Sequence, residues 1–158
     1  MKAEIVAAWH QILSERLRAL ESSQSAARSG TRVDGEHRPS NRGERAAVTS
    51  QGYLAHGLGE RAVALRENLE NLEEMGTDAR SEVVVGALIT LSFEEEAATR
   101  IVLLPGGDAT RLNIGNHAVQ VLSASSPIAR QLRYAESGDA LEIERGGRFV
   151  EVEILSIE

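Results

Sequence analysis

Residues able to do chemistry gather in two stretches of this chain. The first is residues 28–45, where Arg28, Arg32, Arg38, Arg42 and Arg45 outnumber the acids Asp34, Glu36 and Glu44. The second is Ser123-Ala124-Ser125-Ser126-Pro127, a run of hydroxyls ending at a proline. Neither carries a catalytic signature of its own. No serine lies in G-x-S-x-G, so Ser126-Pro127 reads as a helix start rather than a nucleophile. With no cysteine there is no thiolate, no disulfide framework and no cysteine metal site. His10, His37, His56 and His117 form no H-E-x-x-H and no i,i+4 pair, and each reads as a surface or packing residue. The Gly-Gly pairs lack the lysine and helix that a phosphate-cradling loop needs.

The elements that must position these stretches follow from periodicity. Residues 2–27 read as a helix, because Val6, Trp9, Leu13, Leu17 and Leu20 recur at threes and fours. Residues 29–43, dense in Gly, Pro, Asn and Ser, read as a loop. A second helix is expected over 44–75 from Leu54, Leu58, Leu65, Leu69, Leu72 and Met75, its first half weakened by Gly52, Gly57 and Gly59. Two narrow-striped helices of similar length joined by one loop predict an antiparallel coiled-coil hairpin. At 1.5 Å per residue its helices span about 39 Å, which sets the loop far from a domain at the base.

Residues 76–81 read as a linker and 82–158 as a second domain. Strands are expected over 83–91, 99–104 and 117–122, with Pro105-Gly106-Gly107-Asp108 as a turn. Ser126 caps a short helix over 127–132. Residues 139–144 and 148–157 alternate apolar and polar, and pair across Gly146-Gly147. The fold class is therefore α+β: a helical hairpin followed by a small, mostly antiparallel sheet with one short helix.

Composition bounds the partners. The 158 residues carry a net charge of −7, with twelve acids against six arginines in residues 82–158. An acidic half argues against docking on a phosphate backbone and suits a basic protein surface, though a solvated surface that keeps the chain soluble explains the same charge. No apolar run approaches the roughly 18 residues of a membrane span. The polar start Met1-Lys2-Ala3-Glu4 lacks a signal peptide's apolar core, so a cytoplasmic protein without membrane contact is expected.

The wording of residues 122–157 resembles the C-terminal domain of the bacterial Gre transcript-cleavage factors. Ser126, Pro127, Ile128, Ala129, Arg130 and Leu132 match that family's S-P-I-A-R-x-L, and Gly138-Asp139 its G-D. Arg133-Tyr134 departs from the family's I/L-G-K. The resemblance implies an FKBP-like domain that docks on RNA polymerase through a surface including Ser126, Pro127 and Arg130. Prolyl-isomerase activity is not expected, since Phe93, Tyr134 and Phe149 are the domain's only aromatics.

In that family a hairpin enters the polymerase secondary channel. Two acids at its tip help hold the second Mg2+, so the polymerase's own nuclease cuts backtracked RNA near its 3′ end. Two metals clamp the attacking and leaving oxygens, and carboxylates are hard ligands suited to Mg2+. The family's usual tip is G-D-x-x-E-N-A-E-Y; counting back from Tyr53, the two acidic positions fall on Ala46 and Thr49. A variant tip, H-E-E-N-x-x-E-N-K-x-D-T ending in S-Y-L-A-x-G, is closer. Gly52-Tyr53-Leu54-Ala55-His56-Gly57 resembles its ending, and residues 41–45 resemble N-K-x-D-T with a one-residue offset that places Glu44 on the acid.

The resemblance thus implies a monomeric transcription elongation factor, not itself an enzyme. It holds no cofactor or metal of its own and shares Mg2+ with the polymerase active site. Glu44, Glu36 and Asp34 are the candidate tip acids. Arg38, Arg42 and Arg45 are candidate channel or phosphate contacts. The alternative is a channel-binding modulator or inhibitor without cleavage stimulation. Solvated loop charges are the plain reading of the same residues.

Overall fold

The computed structural model describes residues 1–29, 42–93 and 97–158. Two long helices, α1 (Lys2–Ser29) and α2 (Arg42–Met75), are followed by strands β1 (Leu88–Phe93), β2 (Thr99–Leu103), β3 (Asp108–Ile114) and β4 (His117–Leu122). A short helix α3 (Pro127–Gln131) and strands β5 (Ala140–Arg145) and β6 (Arg148–Ile157) complete the chain. Among the described residues no helix is long and apolar enough to cross a membrane.

Packing separates two compact units, Met1–His10 with Glu70–Glu158, and Gln11–Leu69. The second unit is the body of the hairpin. Its antiparallel sense is read from side-chain pairs: Glu21 meets Arg66, and Gln24 meets Ala55. The seam on α2 runs Ala55, Leu58, Ala62, Leu65, Leu69 and Leu72, alternating threes and fours over sevens as a coiled-coil face requires. The expected stripe had Leu54 in it. That side chain is instead 52% exposed, and the small Ala55 and Ala62 are buried in its place. A leucine is the stronger apolar signal, yet the heptad register selects its neighbour. On α1 the fully buried residues are Ile5, Trp9 and Leu13, with Leu17 and Leu20 half-buried.

In the other unit the six strands form one sheet in the order β3-β4-β2-β1-β6-β5. All neighbouring pairs are antiparallel except β2 with β4. One face of the sheet, through Ile89, Leu91, Ile101, Leu103, Ile143, Val152 and Ile154, packs with Ala129 and Leu132 of the α3 segment. Leu88, Val102, Val119 and Val121 on the alternate positions are buried as well, so the middle strands are covered on both faces. β5 and β6 alternate through their middles, from Ala140 to Glu144 and from Val150 to Leu155, and Glu142 stands opposite Glu151 on their exposed side.

Two strand assignments differ from the expectation. The β-branched run at 83–85 is not strand: Gly86 takes φ +91°, its N–H donates to the Leu103 carbonyl, and Ala87 N–H closes a turn on Val84. Extended structure begins only at Leu88. A Cβ there would also lie 3.2 Å from Arg80 Nε and 3.3 Å from Met75 Sδ, close enough that those side chains must shift by a few tenths of an ångström. β3 was not anticipated. It has one buried side chain, Leu112, and a bulge at its start, where Ala109 adopts φ +70°, so its apolar signal is weak.

The start of α1 is tied to the sheet unit. Trp9 is fully buried, and its indole Nε1–H donates to the Pro105 carbonyl at 2.9 Å. Lys2 Nζ donates to the Asp78 carbonyl at 2.7 Å. Burial pushes the Lys2 ammonium pKa down, and Arg80 adds to that, while Glu158 and Asp78 oppose it. Trp9→Phe keeps an aromatic side chain but removes the N–H-bearing ring of the indole, leaving the Pro105 carbonyl without its donor. Urea unfolding followed by circular dichroism is expected to show a loss of about 1–3 kcal/mol; a loss below about 0.5 kcal/mol would make the indole bond incidental.

Candidate functional site

Two separate places hold the candidate residues. At the start of α2, Arg42, Glu44 and Arg45 are all exposed within the first turn. Glu44 is favoured there, since the unpaired N–H groups of a helix N-terminus attract negative charge; Arg42 and Arg45 are not. Ala46 and Thr49 are exposed on the following turns, and Thr49 Oγ1 donates back to the Arg45 carbonyl. Between Glu44 and Glu60 the sequence of α2 has no carboxylate. Asp34, Glu36 and Arg38 lie outside the described residues, so Arg42, Glu44 and Arg45 are the candidate tip residues that the structure brings together. Among the described residues no group of His, Asp and Glu could hold a metal ion.

Next to this end, the hairpin carries a groove of about 670 Å3 whose lining includes Arg28, Gly52, Ala55, His56, Gly59 and Arg66. By helix propensity alone the α2 glycines are weakeners. Gly59 has a positive role: a Cβ on it would lie 2.5 Å from the Gln24 amide nitrogen. That amide occupies a seam position of α1 and donates to the Ala55 carbonyl at 3.2 Å. A polar side chain in an otherwise apolar seam fixes register when its hydrogen bond is made. The signal was present as a glutamine four residues after Leu20 and three before Ala27.

On the sheet unit, Ser126 is the N-cap of α3, with φ −62° and ψ 150°. Its Oγ accepts from the Ala129 N–H at 3.2 Å, and Pro127 fills the first helical position, where a missing N–H costs nothing. The hydroxyl is engaged as a cap, in line with the helix-start reading. Pro127 and Arg130 are exposed and Ile128 half-buried. Beside them lies a mainly apolar hollow of about 370 Å3, bordered by Ala109, Leu122, Ser126, Pro127, Ile128 and Gly146.

The residue that locks α3 in place is Gln131. Its Oε1 accepts from Glu144 N–H at 2.6 Å, and its Nε2 donates to the Glu144 carbonyl at 3.2 Å. β5 is an edge strand, and this amide caps backbone groups that would otherwise face water. The histidines within the described residues make polar surface contacts: His10 with Glu73, His56 with Glu60 and His117 with Arg100.

No protein-family model matches the chain, and no curated protein does. Among solved structures it is similar to the crystal structure of GreA factor homolog 1 (Gfh1) from Thermus thermophilus, at 13% identity and TM-score 0.38, over 98% of this chain and 93% of that one. A structure of the transcription factor Gfh1 aligns at 15% identity and TM-score 0.41, covering 98% and 92% of the two chains. Thermus aquaticus Gfh1 aligns at 15% identity and TM-score 0.38, covering 92% and 93%. At such values, function has to be read from the chain's own residues.

The Gln24–Gly59 contact makes a definite double-mutant prediction. Gly59→Ala gains about 1 kcal/mol of helix propensity but displaces the Gln24 amide, so its net effect on stability is close to zero. In a Gln24→Ala background the same change is expected to stabilise by about 1 kcal/mol. Equal effects in both backgrounds would remove Gln24 from the register argument.

Proposed function

We propose that this chain is a Gre-type transcription elongation factor. It docks on bacterial RNA polymerase through the sheet unit and places the hairpin end in the secondary channel, where Glu44 offers a carboxylate to the Mg2+ shared with the polymerase active site. The observation that carries this reading is the combination of an antiparallel helical hairpin with a sheet unit whose α3 opens on the Ser126-Pro127-Ile128-Ala129-Arg130 motif, Ser126 acting as its N-cap. Under it the chain is no enzyme; the polymerase's own nuclease cuts backtracked RNA. Glu36 and Asp34 stand beside Glu44 as further acids, and Arg38, Arg42 and Arg45 as contacts to phosphate or channel wall.

The chemistry asked of the hairpin is small. A carboxylate near the second metal supplies a hard oxygen ligand and orients the attacking water, which stabilises charge developing on the attacking and leaving oxygens. The protein needs to deliver that group, not to bind the ion in its free state. Docking through Ser126, Pro127 and Arg130 supplies the affinity that holds the carboxylate there.

A second reading has its own observation. The positions aligned with the family's acidic pair are Ala46 and Thr49, and α2 lacks any carboxylate from Arg45 to Gly59. A hairpin end richer in arginine than in acid would occupy the channel, pair with the polymerase's catalytic carboxylates and slow nucleotide addition without stimulating cleavage.

A stalled, backtracked elongation complex separates the two. The cleavage reading predicts that the wild-type protein shortens the RNA, and that Glu44→Ala lowers the cleavage rate at least about tenfold while leaving binding intact, as loss of a metal-directed carboxylate should. Slowed nucleotide addition with uncut RNA selects the inhibitor reading. Absence of any binding to polymerase overturns both.

A further inference from the structure

The loop after α3 holds an aromatic ring for which the fold has no use. α3 closes on Leu132, fully buried, and Ala135 packs against the same core, its N–H donating to the Leu132 carbonyl at 3.0 Å. Between these two attachments Arg133 and Tyr134 are turned outward. Tyr134 adopts φ +75°, a left-handed conformation that glycine enters freely and a residue with a Cβ does not. Just past a helix end, glycine is the ordinary occupant. Here the position carries a tyrosine that is 85% exposed, with the Arg133 guanidinium 5.1 Å from its ring centroid.

The turn is held firmly from behind. Glu136 N–H donates to Asp139 Oδ2 at 2.8 Å, and Ser137 Oγ donates to the Leu155 carbonyl at 3.1 Å. Gly138 N–H donates to the Ile154 carbonyl at 2.7 Å, and Ile154 N–H to the Asp139 carbonyl at 2.8 Å. An exposed tyrosine on a turn fixed this way loses little freedom on binding, which is what a contact hot spot needs. Arg133 sets its guanidinium against the ring, and Arg130, also exposed, stands four residues before it, with Glu136 two residues after, on a domain where acids outnumber arginines two to one.

We propose that the Arg133–Tyr134 turn is a specificity contact for a protein partner that presents carboxylates beside a flat apolar patch. The ring covers the patch, and Arg130 and Arg133 pair with the carboxylates. On a domain with an excess of acid, pairing of partner carboxylates with these arginines fixes which side of the domain faces them. The proposal rests on the reading of residues 82–158 as the polymerase-docking unit, and names a contact of that unit outside the Ser126-Pro127 helix start.

The test uses the full chain, purified bacterial core RNA polymerase, and the variants Tyr134→Gly and Arg133→Glu. Tyr134→Gly is expected to melt no lower than wild type, because it relieves the left-handed backbone, yet to bind polymerase about tenfold more weakly. Arg133→Glu is expected to weaken binding similarly and to flatten its salt dependence. Wild-type binding with both variants within twofold of it overturns this proposal and leaves the docking reading standing. A Tyr134→Gly protein that melts several degrees lower makes the ring structural and overturns it too. Variants that lose affinity for a single-stranded RNA oligonucleotide, with polymerase binding intact, assign the turn to nucleic acid instead. No binding of wild type to polymerase removes both the docking reading and this contact.

Discussion

The attachment of Trp9 to the sheet unit is the constraint on which the architecture depends. A coiled-coil hairpin of two helices has a narrow seam, and such a pair alone buries little apolar surface for the entropy it costs to order. Trp9 adds the single tryptophan of the chain, completely buried, with its one polar atom satisfied by the Pro105 carbonyl. Burial of a tryptophan removes roughly 150–250 Å2 from water, an upper estimate of about 4–6 kcal/mol at 25 cal/mol per Å2. In the same unit Ile5 and Leu72 are buried, and His10 pairs with Glu73 at 3.0 Å. These contacts make the first turns of α1 and the last turn of α2 part of the sheet unit rather than of the hairpin body.

Sequence periodicity was most readable where one physical demand acted alone. The edge pair β5–β6 alternates cleanly because only one face is buried, and the N-cap of α3 was legible because Ser126 and Pro127 each do one thing at a helix start. It failed where two demands competed. At residues 83–85 three valines suggested a strand, but Gly86 and its left-handed backbone turn the chain first. In β3 a bulge and a polar surface left a single buried leucine as the trace of a strand. In α2 the larger Leu54 drew attention from Ala55, although heptad register, not side-chain size, decides which residue meets the partner helix.

The candidate site was readable in part. Arg42, Glu44 and Arg45 share the first turn of α2, whereas the sequence reading leaves Arg42 in the loop and starts the helix at Glu44. Gln24 stands at a seam position that spacing alone shows, but neither it nor Gln131 belongs to a motif, because a glutamine's role depends on the backbone group it meets. The same holds for Tyr134: the sequence showed a departure from a glycine, and only the backbone conformation shows what that departure costs. The acids Asp34 and Glu36, proposed alongside Glu44, rest on sequence alone.

The proposed function assigns affinity to the sheet unit and chemistry, or its absence, to the start of α2. Its central claim is that the start of α2 reaches the polymerase active centre. Since the chain has no cysteine, a single Thr49→Cys can be labelled uniquely with an iron chelate that generates hydroxyl radicals. In a complex with a backtracked elongation complex, the account predicts cuts confined to polymerase segments around the catalytic Mg2+ and to the RNA 3′ end. Cuts on the outer polymerase surface alone, or none above background, would contradict it.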